Sequence, residues 1–73
     1  LGPGSAEAVP ELTEVLKDKS PEVRAAACIA LGNAGTSAKT ALPALQNAIQ
    51  DSDDKVGLCA LRAITTIGVT DNA

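Results

Sequence analysis

The sequence contains no phenylalanine, tryptophan, tyrosine, methionine or histidine. Without aromatic rings there is no stacking platform for bases. With nine acidic side chains against six basic ones, a net charge of −3, there is also no basic stripe to follow a phosphate backbone. Nucleic acid is therefore not expected as a partner. Without histidine, mixed Cys/His zinc sites cannot form within the chain, and Cys28 and Cys59 match no metal-ligand spacing. No apolar run approaches the roughly 20 residues of a membrane span, so no membrane association is expected either. The inventory for acid–base or nucleophilic work is equally thin. The carboxylates fall on polar helix faces, no glycine loop suits a phosphate, and neither cysteine has a neighbouring base or a helix-start position. A non-enzymatic protein without metal or cofactor is expected.

What remains is an aliphatic chain, 45% apolar, whose core must be made of Ala, Val, Leu, Ile and the two cysteines. Small side chains let helices approach closely. Cys28 and Cys59 are expected as small apolar fillers rather than as a disulfide, because disulfide-stapled scaffolds carry more cysteines at loop positions. Seventy-three residues make at most one small domain, residues 1–73, with marginal stability or stability borrowed from neighbours.

A shift of 33 residues superposes the sequence on itself. Gly2 meets Gly35 and Gly68, Ala8 meets Ala41, Pro10 meets Pro43, Leu12 meets Leu45, and Asp18 meets Asp51. Val23, Ala27 and Ala30 meet Val56, Ala60 and Ala63 without a gap. Self-similarity at this period is the signature of a stacked array, with copies at about 2–34 and 35–67. Each copy holds two helical patterns. The second opens on Ser20 and Pro21, or on Asp53 and Asp54, all suited to a helix N-terminus. Val23, Ala27, Ala30, Leu31 and Ala34 then mark one face at helical spacing, repeated by Val56, Ala60, Ala63, Ile64 and Ile67. Gly35 and Gly68 are expected to stop these helices. The first helix of each copy is expected over about 6–17 and 38–50, with Val9, Leu12 and Leu16, or Leu42, Leu45 and Ile49, as its buried stripe. Pro10 and Pro43 belong in its first turn, since a deeper proline would clash with the carbonyl four residues back. Short connections around Asp18–Ser20 and Gly35–Ser37 predict antiparallel neighbours.

With these motifs in register, "AVPELTEVLKD" and "PEVRAAACIALGNAG" followed by "ALPALQNAIQD" and "DKVGLCALRAITTIG", the chain resembles HEAT repeats, and in particular the HEAT-like repeats of the phycobilisome lyase type. The resemblance covers nearly the whole chain. It implies an all-α fold, a right-handed α-α superhelix of about four antiparallel helices in two repeats, with an armadillo-type arrangement. It also implies a hydrogen-bonded ladder between turns, for which Asp18, Arg24 and Asp51 fit, while Gly57 stands where a second arginine would be. Gly57 is expected to soften the last repeat, at about 1 kcal/mol relative to alanine. The function it implies is a protein-interaction scaffold presenting a concave helical surface. The alternative is a regulatory or substrate-positioning part of a larger enzyme, such as a bilin lyase subunit.

In that family the first-helix class is expected on the concave side. Glu7, Glu11, Glu14 and Asp18 form one acidic stripe there, with Thr40, Asn47 and Gln50 in the second copy, so a protein partner with a basic surface is one expectation. A solvated face that keeps the protein soluble is the other. Ile29, Leu58 and Cys59 fall off the main apolar stripe and are either contact points or scattered exposed residues. A chain that opens on Leu1 and closes on "VTDNA" without polar capping helices is expected to be part of a longer array or to self-associate through its ends. A cytoplasmic location is expected.

Overall fold

The computed structural model describes residues 6–71. The opening Leu1–Ser5 stretch, with the Gly2 register position, and the last two residues of the closing "VTDNA" lie outside the described residues. A 3-10 turn, Ala6–Ala8, leads into α1 (Val9–Val15), which is followed by α2 (Pro21–Ala34). A 3-10 segment, Gly35–Ala41, then leads into α3 (Leu42–Ala48), and α4 (Asp54–Asp71) follows. There is no strand among the described residues. The fold is all-α, with two repeats of a short helix followed by a longer one.

Proline decides how each first helix begins. Pro10 and Pro43 sit at the start of α1 and α3. Lacking an N–H, they cannot bond the carbonyl four residues back, and their rings crowd it. The preceding residues therefore wind as 3-10 turns, and the α-helices start at Val9 and Leu42, later than expected from the periodicity. The exits match as well. Lys17 and Asp18 donate three residues back, to Glu14 and Val15 at 3.0 and 2.9 Å, and Gln50 and Asp51 do the same to Asn47 and Ala48 at 3.1 and 3.0 Å. Each first helix thus tightens at its end.

The second helices start on side-chain caps. Ser20 is extended, its hydroxyl accepts the Val23 N–H at 3.4 Å, and Pro21 follows as the first helical residue. The Asp53 carboxylate accepts from the N–H groups of Lys55 and Val56 at 2.9 and 3.2 Å. Gly35 ends α2 at φ +62° and ψ −138°, a backbone region closed to residues with a Cβ. Gly68, expected as the second stop, lies inside α4, which continues to Asp71. Glycine permits either outcome. At Gly35 the chain is drawn off the helix axis because Ala38 and Ala41 of the following segment are fully buried.

The core is one cluster, built from Val9, Cys28, Leu31, Ala38, Ala41, Leu45, Ala48, Val56, Ala60, Ala63 and Ile67. Alanine takes the place that aromatic residues hold in larger cores, so the helices lie close. α2 and α4 pack along each other, and a Cβ on Gly32 would sit 3.3 Å from the Ala63 Cα. Val23 and Ile49, expected in the buried stripes, are each 39% exposed. Val23 sits in the first turn of α2 and Ile49 just past the end of α3, at helix ends rather than mid-helix.

Candidate functional site

The turns at one end of the helices are tied together by one arginine. Arg24, in the first turns of α2, donates from Nε to Asp51 Oδ2 at 2.8 Å and from Nη2 to Asp51 Oδ1 at 3.0 Å. Its Nη1 donates to the carbonyl oxygens of Asp18 and Lys19, at 2.7 and 3.1 Å. One guanidinium therefore holds the α1–α2 turn of the first repeat and the α3–α4 turn of the second. Asp18 joins through its backbone carbonyl, not its carboxylate, which accepts the Ser20 N–H at 2.9 Å. Asp51 accepts the Asp53 N–H in the same way at 2.8 Å and takes the guanidinium in addition. Both partners of the ion pair are largely sheltered, with 16% and 14% of their side-chain surface exposed.

The hydrogen bonds from Arg24, and then that from Asp53, hold the Asp51 carboxyl below its ordinary 3.8, and the same bond raises the Arg24 pKa. A carboxyl with a depressed folded pKa contributes stability that is complete above the unfolded value. That contribution is lost as pH falls through the folded value. Urea midpoints of the protein should therefore hold constant in mildly acidic buffer and drop below about pH 4. Asp51→Asn should be less stable at neutral pH and show a flatter profile in that acid range. Equal acid slopes for the two proteins would show that Asp51 is not the group responsible.

A family model of HEAT repeats matches residues 9–73. The chain belongs to the HEAT-repeat family. Among curated proteins and among solved structures, nothing matches the chain. HEAT repeats commonly mediate protein–protein interaction, and the surfaces of this one fall into two layers.

In this HEAT module α2 and α4 touch along their length. α1 and α3 are held apart by the segment Gly35–Ala41 and by a groove of about 190 Å³ lined by Thr13, Leu16, Lys17, Ala44, Asn47, Ala48 and Asp51. Glu7, Glu11, Glu14, Thr40, Asn47 and Gln50, expected on a concave surface, belong to the layer of the first helices. All six are exposed on the first-helix layer and the 3-10 segments leading into it. Glu14 pairs with Lys17 at 3.7 Å, with about three quarters of each side chain in solvent. Such a pair is worth roughly 0.2–0.5 kcal/mol and is easily exchanged for another partner.

The layer of α2 and α4 carries what the charge pattern did not single out. A groove of about 270 Å³ runs between the starts of α2 and α4, past Glu22, Ala26, Asp53 and Lys55. A second of about 230 Å³ continues past Asn33, Arg62 and both cysteines. Ile29, 55% exposed, lines both. It was legible as an off-stripe apolar residue, but the groove needs α2 and α4 side by side, and the pairing is tertiary. Cys28 is fully buried, and burial, then the neighbouring Cys59, pushes its thiol up to about 11. Cys59 is only half-buried. A maleimide added to the native protein should thus label Cys59 within minutes, and Cys28 only after urea unfolding. Peptide mass mapping reads the order, and simultaneous labelling would mean that α2 and α4 separate in the native state. Among the described residues no group of three or more acidic or thiol side chains could hold a metal ion, and no helix is long and apolar enough to cross a membrane.

Proposed function

We propose that this HEAT module is a non-enzymatic scaffold that docks a protein partner with a basic surface on the layer of its first helices. The supporting observation is the exposed acidic series Glu7, Glu11 and Glu14, in which Glu14 makes only a weak surface pair with Lys17. The chain's net charge of −3 adds long-range attraction for a cationic surface. Several other ionisable groups have structural tasks. Arg24 and Asp51 brace two turns, Asp53 caps α4, and the Cys28 thiol is held protonated. A positioning role beside a bilin lyase draws on the resemblance alone and would show itself by a coloured tetrapyrrole bound to the chain.

The test uses a cationic helical peptide as probe. Binding should weaken at least tenfold in Glu11→Lys/Glu14→Lys, a loss of about 1.4 kcal/mol, with helicity retained. Asp53 caps α4, so the control with the same change in net charge is Glu22→Lys plus Asp54→Lys on the other layer. Equal weakening by the two pairs would reduce the effect to net charge and remove the first-helix site.

A further inference from the structure

We infer that Cys28 and Cys59 face each other across the seam between α2 and α4 and form a reversible disulfide when the protein meets a small-molecule disulfide such as glutathione disulfide. The inference is independent of the basic partner proposed above. α2 and α4 run side by side in the same direction, because the residues lining their shared grooves advance together. Pro21 and Glu22 share one groove with Asp53 and Lys55, and Gly32 and Asn33 share the next with Ala63 and Thr66. The helices come very close where Gly32 meets Ala63, and a Cβ on the glycine would stand 3.4 Å from the alanine Cβ. Four residues before each of these lie Cys28 and Cys59. Residues four apart stand one above the other on a helix, so the cysteines form the next rung of the same seam. Both line the second groove, and Cys59 packs against the core cluster to which Cys28 belongs. Burial, and then the charge of a Cys59 thiolate, raises the Cys28 pKa, so the two groups are within electrostatic reach.

The 33-residue repeat does not account for this pairing. The register counterpart of Cys28 is Leu61, 49% exposed, and that of Cys59 is Ala26. The cysteines are offset instead by the same number of residues as Gly32 and Ala63, which is the offset at which α2 meets α4. A disulfide needs Cβ atoms about 3.5–4.5 Å apart, and a seam this close supplies that spacing within two helices that pack along each other. Reduced, the two thiols fill the seam as small apolar groups, so the fold does not require the bond. Cys59, only half-buried, is the thiol that reacts first. Having given its proton to solvent, its sulfur attacks one sulfur of glutathione disulfide. That S–S bond breaks, Cys59 carries a mixed disulfide, and one glutathione leaves as a thiolate and takes up a proton. Cys28, likewise deprotonated, attacks the Cys59 sulfur, and the second glutathione leaves in the same way. Two electrons and two protons thus leave the cysteines, and one glutathione disulfide becomes two thiols. The bond ties the first repeat to the second at the groove they share.

Mass spectrometry of the intact reduced protein after incubation with glutathione disulfide tests this. The expected product is a monomer lighter by two hydrogen atoms, with Cys28 and Cys59 in one cross-linked peptide pair. Helicity should be unchanged, and the urea midpoint should rise and return to its starting value with dithiothreitol. Cys28→Ala, a small change in a core already rich in alanine, should stop at the Cys59 mixed disulfide. Cys59→Ala should leave the native protein unmodified, because Cys28 has no exposed surface. A wild-type protein that stops at the mixed disulfide, or that links between chains, would overturn the inference. So would an internal bond that lowers the urea midpoint, since the native seam would then not accommodate it. These wild-type readings stand even where a variant fails to fold.

Discussion

Leu45→Ala is expected to abolish most of the folded population, read as a collapse of far-ultraviolet helical ellipticity at 25 °C. Leu45 is fully buried, and among the described residues the other side chains of comparable size with no exposure are Leu31 and Ile67. The rest of the core is alanine, valine and cysteine, which have little reach to close a void. Truncating a buried leucine costs about 2–5 kcal/mol through lost burial and the cavity left behind. A domain of this length has roughly 4–11 kcal/mol in total. The location adds to the effect. α3 is seven residues long, far too short to hold its helix without packing, and Leu45 is its central anchor. Ile49→Ala, at a 39% exposed position, is the control and should shift the urea midpoint only slightly. Indistinguishable midpoints for the two variants would mean that α3 is not docked as described.

The second large effect runs against helix propensity. Gly57→Ala should destabilise the protein, and Gly68→Ala should stabilise it, although both replace a glycine inside α4. Propensity alone gives alanine an advantage of about 1 kcal/mol at each site. At Gly68 nothing lies within 4 Å of the added Cβ, so that gain survives. At Gly57 the new Cβ would stand 2.8 Å from the backbone oxygen of Ile49. A main-chain carbonyl at the end of α3 has no rotamer to escape into, and forcing the two helices apart costs on the order of 1–3 kcal/mol. The urea midpoints should therefore move in opposite directions. If both variants gain, the contact between α4 and the end of α3 is looser than the structure shows. Gly57 is thus not simply a weak point in the last repeat. It occupies the register position of Arg24, and there the backbones meet so closely that no side chain fits.

These two cases mark where sequence reading succeeds and where it stops. The caps at Ser20 and Asp53, the prolines at the starts of α1 and α3, and the left-handed stop at Gly35 act on atoms a few residues away. Their chemistry is visible in a linear string. Gly68 has the same register position as Gly35, yet α4 runs through it. What bends the chain at Gly35 is the burial of Ala38 and Ala41, which lie beyond it. The opposite exposures of Cys28 and Leu61 were hidden for the same reason. Periodicity reports which face of a helix is apolar, but not whether a neighbour is there to cover it.

The acidic series and the brace show the same division. Exposure of Glu7, Glu11 and Glu14 follows from their position opposite the apolar stripe of α1. That α2 and α4 close on each other, while a groove lies between α1 and α3, depends on Gly32 meeting Ala63. Arg24 and Asp51 were identifiable as a pair because they recur at fixed points of a known repeat. The use of the Asp18 carbonyl instead of its carboxylate was decided by the shape of the turn. By itself the sequence determined the all-α class, the 33-residue repeat, the capped starts of α2 and α4 and the aliphatic character of the core, because propensity, capping and amphipathic period are short-range. Only the tertiary structure decided how closely each layer packs, where α4 ends, why Gly57 must be glycine and which apolar sides stay open. Each of these depends on contacts between helices far apart in the chain.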